Sequence, residues 1–143
     1  MPASALDIYQ EYLDLTGEAL LARDADTFLA RIFLPHLLIT ETQTFHMEDD
    51  ETIRHHFFGF ANALASQDVD AYVRIGREAQ FDDANHLHGT HDSFLTSRGK
   101  LVVPRFSNET ALERRGGIWG STKTRHFTAY VSWPDILPRG DVS

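Results

Sequence analysis

The hydrophobic pattern of this chain changes period near Gln67, and that change limits the folds open to it. Upstream, apolar residues recur mostly at helical spacing. Ile8, Tyr12, Leu15 and Ala19, widened by Leu6, Tyr9, Leu13 and Leu20, form one stripe from Ser4 to about Ala22, the period of a helix with one face on a core. Ser4, with Asp7 three residues on, supplies a cap for it. Gly17 weakens this helix by about 1 kcal/mol relative to alanine. Asp24 predicts the cap of a short second helix that buries Phe28, Leu29, Ile32 and Phe33 and stops at Pro35. Leu37 to Phe45 has strand composition. Glu48-Asp49-Asp50-Glu51 puts negative charge where a helix dipole favours it. The third helix predicted there runs to about Ala65, with Ile53, Phe57, Phe60, Ala61 and Leu64 on one face.

Downstream the period is two. Val69, Ala71, Val73 and Ile75 alternate with Asp70, Tyr72 and Arg74 in a strand expected from Val69 to Phe81. Further strands are expected from His86 to Thr96, Leu101 to about Glu113, and Ile118 to about Trp133. They are separated by turn residues at 82–85 and 97–100 and by Arg115-Gly116-Gly117, a strong hairpin signal. Pro134 and Pro138 break the tail. The order ααβα followed by ββββ predicts one α+β domain over residues 1–143, with helices on one face of an antiparallel sheet.

Composition excludes several functions. The chain has no cysteine, so thiol nucleophiles, Fe–S clusters and Cys-ligated zinc are absent. Its formal charge of −8 argues against nucleic acid and anionic membranes as partners. No apolar run approaches the roughly 18 residues of a membrane span, and the start of the chain lacks the basic and apolar regions of a secretory signal. A cytoplasmic location is expected. No Walker A loop, dinucleotide fingerprint or G-x-S-x-G elbow occurs, and no cofactor is expected.

The element order and lengths, together with Leu112-Glu113-Arg114-Arg115-Gly116-Gly117-Ile118-Trp119, resemble the NTF2-like superfamily and, within it, the SnoaL-like group. The resemblance covers nearly the whole chain as a pattern, and the terminal hairpin, with Arg114 and Trp119 at the group's separation, is its most specific piece. It implies a cone in which three N-terminal helices pack on a strongly bent, mixed or antiparallel sheet enclosing a ligand cavity, and often a homodimer. The superfamily holds isomerases, cyclases, epoxide hydrolases, dehydratases and non-catalytic binding modules, so the fold does not choose a chemistry. The chain departs from the pattern at Ser121, where many relatives are apolar. It also carries Asn108 and Thr110 where some enzymes carry Asp or Tyr, and neither is a general base at neutral pH.

The residues that could carry chemistry are mostly histidines, eight in all. Three lie in His86-Leu87-His88-Gly89-Thr90-His91-Asp92. On a regular strand His86, His88 and Asp92 share one face and His91 takes the other. His86 and His88, helped by the Tyr72 hydroxyl, are the candidate acid–base groups. The ligand pocket is expected to comprise Tyr72, Arg74, His86, His88, Asn108 and Trp119. His86, His88 and Asp92 are also an alternative metal triad, weighed against histidines that merely line a polar cavity or the outer face. Arg74 would orient an anion or pair with Asp92 or Glu109. Of Arg125 and His126, neighbours on one strand, at most one faces a pocket. These residues predict a small-molecule pocket protein, with isomerase, cyclase or dehydratase chemistry on a small apolar or polyketide-like substrate. The alternative is a non-catalytic binding or homodimeric assembly module.

Overall fold

A computed structural model describes residues 3–128, 131–132 and 135–136. Helix α1 (Ala5–Ala22) begins at Ser4, whose hydroxyl accepts the Asp7 amide at 3.1 Å, and ends at Arg23 in the left-handed region. Its buried stripe includes Tyr9, Tyr12, Leu13, Thr16 and Leu20. Helix α2 (Ala25–Leu29) is capped by Asp24, and α3 (Asp50–Ser66) by Asp49, with Asp50 and Glu51 in its first turn.

The strands are β1 (Ile32–Ile39), β2 (Thr44–Met47), β3 (Ala71–Asp83), β4 (His86–Ser97), β5 (Lys100–Leu101), β6 (Phe106–Arg115) and β7 (Ile118–Phe127), followed by β8 (Val131–Ser132) and β9 (Asp135–Ile136). The first seven form a curved, unclosed sheet in the order β2-β1-β7-β6-β4-β3, with β5 paired to β4; β8 and β9 pair separately. All pairings are antiparallel except β1 with β7, so the sheet is mixed and the architecture is α+β.

Three boundaries differ from the sequence expectation. The second helix ends at Leu29 rather than Pro35, and residues from Ile32 onward belong to β1. Pro35 is accommodated in this strand because the β1–β7 register is interrupted between Ile32 and Leu37, which removes the ladder bond a proline could not donate. The expected strand from Leu37 to Phe45 is thus two strands joined by a tight connection at Thr40 and Gln43. Pro104 lies in the gap that separates β5 from β6. Trp133, Pro134 and Pro138 lie outside the described residues. At the Gly116-Gly117 hairpin both glycines have positive φ, 58° and 81°, as a two-residue turn between Arg115 and Ile118 requires.

Helix α1 is fixed to β3 at a break in that strand. The β3–β4 register shifts between Gly76 and Glu78, a bulge that bends the sheet. Gln10 bonds both backbone groups beside it: its amide nitrogen donates to the Arg74 carbonyl and its oxygen accepts from the Gly76 amide, each at 2.7 Å. One apolar cluster joins α2, α3 and β1 through Phe28, Ile32, Leu38, Phe57 and Phe60. A second joins α1 to β4 and β6 through Tyr9, Leu13, Leu87 and Leu112. No helix among the described residues is long and apolar enough to cross a membrane.

Candidate functional site

Between the helices and the inner face of the sheet lies a cavity lined by the apolar residues Leu20, Phe28, Ile32, Leu38, Met47 and Ile53. Tyr12, His36, Tyr72, Arg74, Thr124 and His126 are its polar lining. Its empty space is about 460 Å³, part of it continuous with solvent.

Arg74 is the cation of this wall. It shares the inward face of β3 with Tyr72, and its guanidinium carbon stands 5.0 Å from the Tyr72 ring centroid. Its Nη2 donates to the Leu13 carbonyl at 2.6 Å and also to the Thr16 hydroxyl. Gly17 lets α1 lie close to the backbone of β3, since a Cβ there would stand 3.3 Å from the Tyr72 carbonyl, while its distance of 3.6 Å from Nη2 would be an ordinary contact. Arg74 forms no ion pair among the described residues, and its buried Nε has no acceptor. Neither acid considered for it from sequence is its partner. Asp92 faces outward and accepts from Arg77 Nε at 2.8 Å, and Glu109 is exposed.

The inward histidines are His36, His91 and His126, each buried and each on a neutral partner. Ser93 donates to the Asn108 carbonyl oxygen at 2.6 Å, and the Asn108 amide nitrogen donates to His126 Nδ1. With Nδ1 accepting, the proton of neutral His126 sits on Nε2. His36 Nε2 is 3.1 Å from the Ser121 hydroxyl, while its buried Nδ1 has no partner. The Tyr9 hydroxyl donates to His91 Nδ1 at 2.6 Å. Burial disfavours the charged imidazole at all three. It lowers His36 to about 4, and burial with the nearby Arg74 charge lowers His126 to about 3 and His91 further still. Burial also raises the Tyr9 and Tyr12 phenols, so both stay protonated.

The sequence candidates divide between the two faces. Tyr72 and Arg74 border the cavity, and Asn108 lies one hydrogen bond behind it. His86 and His88 are exposed on the other face. His86 lies 2.8 Å from Asp83 and 3.1 Å from Glu113, which raise its pKa, and His88 lies 2.8 Å from Asp82. Both therefore stand outside the cavity in which the sequence analysis placed them. The inward residues of β4 are Leu87, Gly89, His91, Ser93 and Leu95, and alternation turns His86 and His88 away. Trp119 is also away from the cavity, but on the helix-facing side of the sheet: it is half-buried against the second apolar cluster, 5.9 Å from the Arg114 guanidinium and beside Phe81. His86, His88 and Asp92 each hold a different partner. No group of three His, Asp or Glu residues among those described is gathered for a metal ion.

Sequence reasoning passed over His36, assigned no role to His91 and left His126 undecided. A signal for His91 was available, because Leu87 and Leu95 lie on its face of the strand. None marked His36, which occupies a stretch expected to end a helix.

Solved structures share this fold. An NTF2-like protein of unknown function from Shewanella oneidensis superposes with a TM-score of 0.68 at 14% identity, over 85% of this chain and 98% of that one. Another from Cytophaga hutchinsonii gives 0.62 at 10% identity, over 88% and 99%. The hexachlorocyclohexane dehydrochlorinase LinA-type3 from Novosphingobium barchaimii gives 0.60 at 13% identity, over 87% and 86%. No protein-family model and no curated protein matches the sequence. The chain has the NTF2-like fold, a bent sheet closed by three helices around a pocket.

Proposed function

We propose that this chain is a cytoplasmic small-molecule pocket protein of the SnoaL-like type. Its cavity takes a compact, mainly apolar molecule and orients it by one polar end. The observation that carries this reading is the composition of the wall, in which Leu20, Phe28, Ile32, Leu38, Met47 and Ile53 are joined by a few polar groups, Tyr72, Arg74 and His126 among them. An apolar pocket with a few convergent polar groups is the common form of a ligand site. Thermal denaturation with a panel of small organic molecules tests it. A ligand near 100 times its Kd adds about 2.7 kcal/mol, a rise of about 5–11 °C for a domain of this size. A flat response across the panel, with no change on Leu38→Phe, would sink the reading.

Acid–base chemistry is the narrower form of the same proposal, on a small apolar or polyketide-like substrate. The likeness to a dehydrochlorinase favours it, because elimination needs a base beside an apolar substrate. Tyr72, a hydroxyl donor, and the neutral imidazoles of His36 and His126 are the groups that border the cavity. No carboxylate among the described residues lines it, so a His126→Gln variant that retained full turnover of an identified substrate would leave binding as the function. An assembly role has one observation behind it: Val73, Ile75 and Phe127 point outward from the sheet at 49%, 39% and 45% exposure. A homodimer covering that face is expected to give twice the chain mass in light scattering, and a monomeric mass rejects it.

A further inference from the structure

We infer that the cavity is built for an anionic ligand, a small carboxylate with an apolar body whose charged end lies at Arg74. The inference rests on the cavity being a ligand site. A guanidinium stays charged at any accessible pH. Placing it in a largely apolar wall is costly unless an opposite charge offsets it. Arg74 is held by the Leu13 carbonyl and the Thr16 hydroxyl, both neutral, and its Nε–H meets no acceptor.

Where other arginines are ion-paired, the partner is a carboxylate: Arg77, three residues further along the same strand, has Asp92; Arg31 has Glu11, Arg115 has Glu113, and Arg54 has Asp50 and Asp26. The inward arginine, where a counter-charge matters most, has none among the described residues. The side chains around it do not supply one. His36 and His126 are neutral imidazoles, and the buried Tyr12 phenol stays protonated. The polar lining of the cavity thus carries one positive charge and several hydrogen-bond donors.

One cation matches one negative charge. A carboxylate balances it, whereas a phosphate dianion would leave a second charge facing Leu38 and Met47. Helix anchoring through Nη2 does not use the whole guanidinium, since Nε–H is left without an acceptor.

The test compares butanoate, hexanoate and octanoate with butanamide, hexanamide and octanamide by isothermal titration calorimetry on the unaltered protein. The carboxylates are expected to bind tighter than the matching amides by about tenfold or more, as an ion pair with hydrogen bonds adds. Arg74→Gln is expected to abolish the preference while amide binding persists, and Arg74→Lys to keep part of it. Equal binding of acids and amides overturns the anion assignment and leaves the pocket reading standing. Binding by neither series overturns both. If Arg74→Gln does not fold, the comparison on the unaltered protein and on Arg74→Lys still decides.

Discussion

Strand β4 displays histidines on both faces, and the two sets are treated in opposite ways. Outside, His86 and His88 stand in water beside Asp83, Glu113 and Asp82. Inside, His91 bonds the Tyr9 hydroxyl, and on the next strands His126 bonds an amide and His36 a serine hydroxyl. The outer face pairs imidazole with carboxylate, and at His86 this supports the protonated form. The inner face offers neutral partners, and burial with the Arg74 charge supports the neutral form. Residue type alone does not assign a histidine its chemistry. The face of the strand decides, and on the inner face the fixed charge belongs to the arginine.

The largest expected effect follows from that contrast. The three inner histidines have folded pKa values below the ordinary 6.5, at about 4 for His36, about 3 for His126 and lower for His91. The unfolded chain therefore binds protons that the folded chain refuses. Stability is fully present above the unfolded pKa and is lost as pH falls from about 6.5 toward the folded values. Each histidine contributes a slope of up to about 1.4 kcal/mol per pH unit, so three act on a total of about 5–15 kcal/mol. Urea denaturation should show stability falling steeply between about pH 6 and 4, with a shallower fall in His36→Gln. A stability flat down to about pH 4.5 would mean that the inner imidazoles are already protonated or reached by water. The outer His86 has the opposite sign: its raised pKa adds stability at low pH that disappears as pH rises through it. Its exposure keeps that contribution small.

Much of the fold was legible because it rests on periodicity. The stripe of α1, the acidic start of α3, the alternation of β3 and the Gly116-Gly117 turn are local signals, and the structure has each within a few residues. The break at Pro35 was hidden because a proline normally ends an element, and only pairing with a strand far along the chain, Ile32 with Ser121, makes β1 tolerate it. For the site, Tyr72 and Arg74 were identifiable as sharing a face, but which face of the sheet is concave is a tertiary property. The choice between His86 with His88 and His91 turned on it. Leu87 and Leu95 pointed to the right face; three polar residues on the other outweighed them. His36 and Ser121 lie 85 positions apart, and nothing local brings them together.

Gly89 probes the inner face by shape. A Cβ there would stand 2.7 Å from the Glu78 carbonyl and 2.9 Å from the Tyr9 ring, and the carbonyl belongs to a paired backbone that cannot swing aside. Gly89→Ala is expected to cost about 2–3 kcal/mol by overpacking, read as a lower urea midpoint at unchanged slope. Little loss would mean that α1 lies further from the sheet than this contact implies. Tyr9→Phe probes the same contact by chemistry and should cost less. It deletes only the hydroxyl, leaving buried His91 Nδ1 without its donor, at about 1–2 kcal/mol. It should also flatten part of the acid slope, since a His91 with a free acceptor nitrogen takes up a proton more readily.

The smallest effect is expected outside, at His88→Ala. The His88–Asp82 contact joins side chains that are about half exposed, at 51% and 49%, and exposed pairs of this kind contribute little because water solvates both partners and side-chain freedom is lost in holding them together. The change in stability should stay within about 0.5 kcal/mol, and the ligand preference expected at Arg74 should not move. A loss as large as that of Tyr9→Phe would contradict the division between faces, because water compensates a deletion on a wet surface but not on a covered one. Repeating the measurement across protein concentrations separates the causes. A loss that grows with concentration means that a second copy covers the outer sheet. A constant loss means that the Asp82–His88 pair braces the β3–β4 turn within one chain.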